Sequence, residues 1–316
     1  MHIVGGTGAG KTTLLENLIM HDLTMPNTPG LVIVDPHGDL LQKLTRLDLF
    51  HPDHGKLSDR FVYITPRDIQ TPPDLNVFDV KRDRFGTYDE AMPEQITAGV
   101  IQTFDYVFEG LIGADLTAKQ GVFITSLARH HHPKPETMGR NATILDMLRL
   151  MDDVAPYRKA IESLPPIQRE FFEREFFDPK ATTFKQTREQ IRYRLQAIIE
   201  NPTMARLFSS PYTKVDIFEE LNNGSIIFVD TAKDFLKGAH SHFGRIFISL
   251  VLQAALERAA IPEAQRRPAF LIVDEAASYF DSNIDDLLTD TRKYRLGCVF
   301  AHQYLEQCTG PLRASL

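Results

Sequence analysis

The sequence predicts an α/β protein with a mainly parallel sheet and an all-helical insertion. Three observations support this fold class: short apolar runs alternate with amphipathic stretches, the first run ends in a glycine-rich turn, and strand-like runs are missing from the middle of the chain. Alternating strands and helices are typical of a parallel sheet that is covered by helices. With 316 residues, of which 43% are hydrophobic, the chain is long enough to bury a large core.

The predicted strands are short runs of apolar, often β-branched residues that are bounded by Gly, Pro or Asp. They span residues 1–5, 31–35, 60–65, 224–230, 269–274 and 297–301. The predicted helices span residues 11–22, 39–47, 94–109, 114–131, 241–259 and 283–294. The helix over 241–259 is apolar on nearly all sides, which predicts that it is buried.

The glycine-rich turn after the first strand matches the phosphate-binding pattern G-x-x-x-x-G-K-[ST], in the segment Gly5-Gly6-Thr7-Gly8-Ala9-Gly10-Lys11-Thr12. A triphosphate requires several backbone N–H groups that point inward, and glycine removes the Cβ atoms that would obstruct them. The start of the following helix adds its partial positive charge. We therefore predict that this segment and Thr13 bind a nucleoside triphosphate, that Lys11 reaches its β and γ phosphates, and that Thr12 holds Mg²⁺. The alternative interpretation is a flexible glycine turn.

The strand over 269–274 ends in Asp274-Glu275 after four apolar residues. An acidic residue in this position can bind the Mg²⁺ that bridges phosphate oxygens, which predicts that Asp274 is a second metal ligand. Glu275 can polarise an attacking water, because its carboxylate is a hydrogen-bond acceptor. The alternative is an acidic helix start that the helix dipole stabilises.

Two residues near the last strand complete the predicted site. Gln303 follows that strand, where its amide can bond both the water and the γ-phosphate; the alternative is a polar cap. Arg292 lies on the preceding predicted helix, and an arginine from a neighbouring subunit can stabilise the charge of a transferring phosphoryl group. Arg295 is the second candidate for this role, and the alternative for both arginines is a solvated basic helix end.

The composition argues against several classes of protein. The two cysteines, Cys298 and Cys308, form neither a disulfide framework nor a metal cluster. No apolar run reaches the roughly 18 residues of a membrane span, and no signal peptide is present. We therefore expect a cytoplasmic protein that reaches the inner face of the membrane only through a partner or a missing N-terminal segment. The formal charge of −7 argues against nonspecific coating of nucleic acid by the whole surface, but it is compatible with a local basic channel.

Four other groups of polar residues have both a functional and a structural interpretation. His130-His131-His132 can bind a metal but has no further ligand at metal spacing, so a solvated helix end is favoured. The mixed charges of residues 81–84 favour a solvated loop over a phosphate contact. The arginines between residues 188 and 194 form either a nucleic-acid surface or, slightly favoured, a polar helix face. Asp35 is either a ligand at a strand end or a turn-forming residue before a proline.

Taken together, the motifs resemble the HerA–FtsK superfamily, and within it the coupling proteins of type IV secretion, which pump DNA during conjugation. The resemblance extends over most of the chain, including the helical insertion. It rests on residues 5–12 and on the segments Asp35-Pro36-His37-Gly38-Asp39, Asp274-Glu275, Thr291-Arg292-Lys293-Tyr294 and Ala301-His302-Gln303.

This resemblance implies a RecA-like fold and a homo-hexameric ring that binds ATP and Mg²⁺ between subunits and threads DNA through its pore. It implies catalytic roles for Lys11, Glu275 and Gln303, with Arg292 acting on the ATP of the next subunit. The expected function is an ATP-hydrolysing motor of a DNA translocase. The alternatives are a protein-secretion ATPase of the same superfamily and a module that binds nucleotide without hydrolysing it.

The expected domains are a nucleotide-binding core, formed by residues 1–115 and 216–316, and an all-α insertion over residues 116–215. In the insertion, Lys and Arg outnumber Asp and Glu, whereas the rest of the chain is acidic. The resemblance implies that the insertion faces relaxosome or secretion-channel proteins. Members of the superfamily carry a membrane anchor or a β-barrel before the phosphate-binding turn and a further strand after the last one, so we expect a truncated core.

Overall fold

The computed structural model describes residues 1–79, 81–89, 91–96, 98–99, 140–162, 166–176, 185–280 and 291–304. The chain divides into two compact units: Met1–Pro72 with Asp216–Leu316, named here the sheet unit, and Pro73–Val215, named the helical unit. The predicted boundary at residues 115–116 lies outside the described residues. So do most of the predicted helices over 94–109, 114–131 and 283–294.

The strands and helices follow the chain in an alternating order. The strands are β1 (His2–Val4), β2 (Gly30–Asp35), β3 (Phe61–Ile64), β4 (Ile226–Asp230), β5 (Ala269–Val273) and β6 (Leu296–His302). The helices are α1 (Lys11–Thr24), α2 (Asp39–Thr45), α3 (Ile144–Asp152), α4 (Arg158–Glu162), α5 (Pro166–Phe171), α6 (Lys185–Ile199), α7 (Pro202–Phe208), α8 (Ile217–Asn223), α9 (Lys233–Leu236) and α10 (Ala239–Glu257). Arg292–Tyr294, which belongs to a predicted helix, is a 3₁₀ turn.

The six strands form one parallel sheet in the order β1-β6-β5-β2-β4-β3. In the middle of the sheet, Val34 of β2 pairs with Val229 of β4 on one side and with Val273 of β5 on the other. Parallel pairing places the carboxyl ends of the strands along one edge, which we call the carboxyl edge, and their amino ends along the opposite amino edge. The prediction of an α/β fold with a parallel sheet is confirmed.

The central strands are buried on both faces. Every residue of β2 and β4 is buried, which is why both strands are continuous apolar runs in the sequence. The helix α1 packs onto the core through Leu15, Ile19 and Leu23, which recur at helical spacing. Burial of this face fixes the start of α1 at the carboxyl edge.

The helix α10 is buried along most of its length, as its composition predicts. Its Gly244 is required by packing, because a Cβ atom at this position would overlap the ring of Tyr279. Tyr279 is fully buried, and its hydroxyl lies 2.7 Å from Oγ1 of Thr231. This hydrogen bond joins the segment after β5 to the segment after β4 at the carboxyl edge.

The described residues of the helical unit form α3 to α7 and contain no strand. Asp146 of α3 is 1% exposed and accepts two bonds from Arg140, at 2.6 and 2.7 Å, together with bonds from Thr143 and Tyr157. Burial acts to raise the pKa of Asp146, but these donors outweigh it and lower the pKa to about 2. The ionised carboxylate therefore caps the start of α3.

Across the described part of the chain, no helix is both long and apolar enough to cross a bilayer.

Candidate nucleotide-binding and hydrolysis site

The predicted phosphate-binding turn joins β1 to α1 at the carboxyl edge. Gly8 and Gly10 have left-handed backbone conformations, with φ of 80° and 82°, which glycine adopts without strain. Gly10 is the N-cap of α1 and has no side chain, so it leaves the first N–H groups of the helix to a ligand. The other exposed residues of the predicted binding segment are Gly6, Thr7, Ala9 and Thr13.

The ammonium group of Lys11 lies over this turn. Its Nζ donates to the carbonyl oxygen of Gly5 at 2.6 Å and to that of Gly6 at 3.1 Å. The N–H of Gly5 in turn donates to the carbonyl oxygen of His302 at 3.2 Å, which ties the turn to the end of β6. A positive charge and backbone N–H groups thus meet at the end of β1, which is the arrangement that binds a phosphate.

Asp35 ends β2 at the same edge and is 3% exposed. It accepts the backbone N–H groups of His37 at 3.0 Å, Leu40 at 3.0 Å and Leu41 at 3.4 Å. Burial raises the pKa of Asp35, and these N–H bonds oppose the rise. The geometry favours the turn-forming interpretation, because the carboxylate stabilises the turn and the start of α2.

The neighbouring strands β4 and β5 are also followed or ended by buried aspartates, and the negative charges of these two carboxylates have different partners. Asp230 of β4 pairs with Arg67, whose Nε lies 2.8 Å from Oδ2. Asp274 follows β5, accepts the Thr12 hydroxyl at 3.4 Å and forms no ion pair with a Lys or Arg of the described residues. Burial raises the pKa of Asp274, and the charge of Glu275 adds to the rise. Asp274 is therefore the strand-end carboxylate that would gain most from a bound cation.

Thr12 and Asp274 fit the Mg²⁺ that the sequence predicts. Hydroxyl and carboxylate oxygens are hard donors, and Mg²⁺ commonly takes only one or two carboxylates while phosphates and waters complete its shell. Nowhere in the described residues is a group of three or more His, Cys, Asp or Glu side chains placed to hold a metal, so the proposed ion would depend on phosphates and waters for its other ligands. The segment His130-His131-His132 lies outside the described residues.

Glu275 lies at the centre of a polar cluster. Its Oε2 accepts a bond from Nζ of Lys233 at 2.9 Å, and its Oε1 lies 3.3 Å from Nε2 of His37. Gln303 donates its amide to the same Oε1 at 3.2 Å, so the two predicted catalytic side chains of β5 and β6 are in contact. Burial acts to raise the pKa of Glu275, but Lys233 and His37 outweigh it and lower the pKa. The carboxylate is therefore an ionised acceptor at neutral pH.

Arg292 lies at the other end of the same strand from Gln303. It precedes β6 at the amino edge and is exposed, whereas Gln303 follows β6 at the carboxyl edge. A strand of seven residues is roughly 20 Å long, so Arg292 cannot reach the phosphate-binding turn of its own chain. Arg295 is at the amino edge as well, where its Nη1 donates to the carbonyl oxygen of Arg266 at 3.1 Å.

The cluster around Glu275 includes two side chains that the sequence does not predict as site residues, His37 and Lys233. His37 lies in a segment on which the family resemblance rests, and this was the signal that could have identified it. Lys233 follows β4, and its contact with Glu275 depends on the order of the strands in the sheet, which the sequence does not give.

Two of the basic side chains that the sequence suggests for contacts with phosphate or nucleic acid form ion pairs within the chain. Lys81 pairs with Asp79 at 2.9 Å, and Arg192 pairs with Asp152 at 2.6 Å. Pairing with a carboxylate removes much of the attraction of these cations for a phosphate. The structural interpretation is therefore favoured for both residues.

Residues 1–107 match the model of the family described as "Helicase HerA, central domain". None of the curated proteins matches this chain. Among solved structures, the unbound form of the bacterial conjugative coupling protein TrwBdeltaN70 has a TM-score of 0.65 and 20% identity, over 99% of this chain and 64% of that one. The plasmid coupling protein TrwB in complex with the non-hydrolysable ATP analogue ADPNP has a TM-score of 0.63 and 20% identity, over 97% and 64%. VirB4 of Thermoanaerobacter pseudethanolicus has a TM-score of 0.59 and 17% identity, over 99% and 72%.

At these identities the solved structures establish the fold, which is that of a RecA-like P-loop NTPase. The chain spans 64% of the length of the TrwB chains. The family match covers the phosphate-binding turn, β2 and the turn that follows it, which are segments on which the resemblance in sequence rests. The family match over residues 1–107 and the fold of the whole chain together confirm the resemblance to the HerA–FtsK superfamily.

Proposed function

We propose that this chain is the ATP-binding and ATP-hydrolysing motor of a hexameric DNA translocase, of the kind used in conjugative DNA transfer. The observation that carries the proposal is the convergence of four functional groups at the carboxyl edge. The ends of β1, β6 and β5 bring together the ammonium of Lys11, the amide of Gln303, the carboxylate of Asp274 and the carboxylate of Glu275. Adjacent strand ends of this kind are where α/β sheets bind their ligands.

In the proposed reaction, the N–H groups at the start of α1 and the ammonium of Lys11 bind the β and γ phosphates of ATP. Thr12 and Asp274 hold Mg²⁺, which neutralises the charge that develops on the phosphate oxygens. Glu275 accepts a hydrogen bond from the attacking water and orients it, and Gln303 holds both the water and the carboxylate. The plasmid coupling protein TrwB has been solved with ADPNP and with ADP and Mg²⁺, which supports this choice of ligands.

The proposed assembly follows from the position of Arg292. Because this arginine lies at the amino edge, it can contribute to hydrolysis only at the nucleotide of another subunit, as in a ring. The HerA–FtsK resemblance supports a hexamer, DNA as the translocated substrate, and relaxosome or secretion-channel proteins as partners of the helical unit. We place the motor in the cytoplasm, on the inner side of a membrane that it reaches through a partner or another segment.

Two alternatives remain within the same fold. A protein-secretion ATPase would share the site but would not respond to DNA. A module that binds nucleotide only to assemble would not need an acceptor for the attacking water. The hydrogen bonds that hold the Glu275 carboxylate ionised favour hydrolysis over this second alternative.

The test measures ATP turnover of the purified chain with and without single-stranded and duplex DNA, and its oligomeric state in the same samples. We expect either form of DNA to raise turnover, and we expect Glu275→Gln to bind ATP normally but to stall. The matched control is Glu263→Gln, an exposed residue at the amino edge, which should behave like the native chain. Turnover that DNA never changes would favour the secretion alternative, and normal turnover of Glu275→Gln would contradict the hydrolysis mechanism.

A further inference from the structure

Lys233 makes a direct ion pair with Glu275 across the carboxyl edge. Its Nζ lies 2.9 Å from Oε2 of Glu275, while Oε1 of the same carboxylate contacts His37 and Gln303. A carboxylate offers about four lone-pair positions, so these three contacts leave about one of them for a further donor. Of these three partners, only Lys233 contacts Oε2, whereas the other two share Oε1.

The main chain on both sides of this pair is held in place. Ala232, which precedes Lys233, is fully buried and has a left-handed φ of 49°, and its N–H donates to Asp230 at 2.7 Å. The N–H of Lys233 donates to the carbonyl oxygen of Pro36 at 2.9 Å. Glu275 also has a left-handed φ, of 46°. Left-handed backbone at residues other than glycine persists only where the surroundings enforce it, and it concentrates at functional sites.

These contacts distinguish Lys233 from an ordinary surface lysine. Exposed ion pairs contribute little, because two long side chains must be ordered to form them. The side chain of Lys233 is 39% exposed, but its backbone is fixed to β4 and to the loop after β2, and its partner is only 19% exposed. The ammonium is therefore presented to Glu275 by rigid elements.

We propose that Lys233 is a positioning residue that orients the carboxylate of Glu275 for hydrolysis. By holding Oε2, Lys233 restricts rotation of the carboxylate, so that Oε1 keeps its contact with Gln303 and a fixed direction. A small misplacement of a catalytic group can lower a rate by a large factor. This inference rests on the proposed function, since it requires Glu275 to orient the attacking water.

The first experiment replaces Lys233 with methionine, which keeps the length of the side chain but removes the ammonium. We expect kcat to fall by roughly tenfold to a hundredfold, the range seen when an orienting partner is removed. We expect KM and the affinity for a non-hydrolysable ATP analogue to stay within about twofold, because Lys233 contacts none of the predicted phosphate-binding residues. Lys233→Arg should restore most of the turnover, and Lys237→Met, at an exposed lysine, should have no effect.

The second experiment combines Lys233→Met with Glu275→Gln. If Lys233 acts only through Glu275, the double variant should turn over ATP at the same residual rate as Glu275→Gln alone. Unfolding curves of each variant define the folded fraction to which the rates are normalised, and Lys233→Gln replaces the methionine variant if that variant does not fold. Normal turnover of Lys233→Met or Lys233→Gln, or a further loss of turnover in the Glu275→Gln background, would overturn the inference. Normal turnover of Glu275→Gln itself would instead overturn the proposed function.

Discussion

The two edges of the sheet use charged side chains in opposite ways. At the amino edge, guanidinium groups donate to main-chain carbonyl oxygens and form no ion pair with a described carboxylate. These contacts are Arg60 to Gly224 (2.8 Å), Arg258 to Tyr294 (2.9 Å), Arg266 to Ile261 (2.8 Å), Arg267 to Asn223 (2.9 Å) and Arg295 to Arg266 (3.1 Å). At the carboxyl edge, Asp35, Asp230 and Asp274 are buried carboxylates. Asp230 pairs with Arg67, and the half-buried Glu275 pairs with Lys233.

This difference shows which charged side chains are structural, because they hold loops in place, and which are reactive, because they can bind a ligand or take part in hydrolysis. A guanidinium that donates to carbonyl oxygens fixes the loops that carry those carbonyls, and it has few donors left for a ligand. A buried carboxylate that forms no ion pair with a Lys or Arg of the described residues, such as Asp274, retains affinity for a cation. Arg292 is an exposed arginine of the amino edge for which no side-chain contact is described, and its position before β6 is the reason why we propose that it acts on a neighbouring subunit.

The strongest test of the carboxyl edge is Lys11→Ala. We expect binding of ATP to be abolished, because the variant loses the ammonium that charge-assisted bonds to the β and γ phosphates require. Titration with a fluorescent or non-hydrolysable ATP analogue measures this directly. The matched control is Lys43→Ala, since this exposed lysine of α2 makes only a long 3.7 Å pair with Glu16. Affinity retained by Lys11→Ala would contradict the assignment of the turn.

Arg292→Ala tests whether the amino edge contains a reactive group. We expect turnover to fall by about a thousandfold while nucleotide affinity is unchanged, as when an arginine supplied in trans is removed. Arg295→Ala is the control, because the Arg295 side chain already donates to the carbonyl oxygen of Arg266. Mixing Arg292→Ala with Glu275→Gln subunits should restore part of the turnover. Rings in which mixing never restores turnover would contradict the role in trans.

Arg258→Leu tests the structural role of the same edge. Arg258 is fully buried and donates to Asn222, Tyr294, Arg295 and Arg267. Burial lowers its pKa to about 10, which still leaves the guanidinium charged at neutral pH. Because the variant removes a fully buried guanidinium and leaves several partly buried oxygen acceptors without their donor, we expect the free energy of unfolding to fall by about 3–5 kcal/mol.

Denaturant unfolding at neutral pH measures this change. The control is Arg46→Leu, at an exposed arginine after α2, which should change the stability by no more than about 0.5 kcal/mol. An equally small effect of Arg258→Leu would mean that the amino edge does not depend on its arginines.

The sequence predicts most of the sheet and the outline of the site because their signals are local. Buried parallel strands are continuous apolar runs, and the phosphate-binding turn is a contiguous pattern. The contact between Lys233 and Glu275 is not local, because it depends on β4 and β5 flanking β2. The buried arginine at position 258 has no pattern in the sequence either, since its partners are main-chain carbonyls. The short helix α8 is capped by Asp216 and ended by Gly224, but it is too brief to show a clear periodicity.

The smallest expected effect concerns His302, a residue of the carboxyl edge whose role we expect to be structural. It is 1% exposed, its Nε2 lies 3.1 Å from Nδ1 of His2, and its Nδ1 has no described partner. Burial, followed by the charge of His2, lowers the pKa of His302 from 6.5 to about 4. As the pH falls, the imidazole of His302 therefore becomes protonated in the unfolded chain before it does so in the folded chain. The free energy of unfolding has its full value above pH 6.5 and decreases as the pH falls to about 4.

Over that range we expect the free energy of unfolding of the native chain to fall by up to about 3 kcal/mol more than that of His302→Gln. Denaturant unfolding of both chains across the pH range measures the difference, which cancels the contribution of groups that the two chains share. Phe280, whose ring lies 6.4 Å from that of His302, is not titratable, so His2 is the neighbouring group to vary. In His2→Gln the fall in the free energy of unfolding should be smaller, because the imidazole of His2 no longer disfavours a positive charge on His302. Parallel stability curves for the native chain and His302→Gln would show that the protonation of this buried histidine does not contribute to the pH dependence of folding.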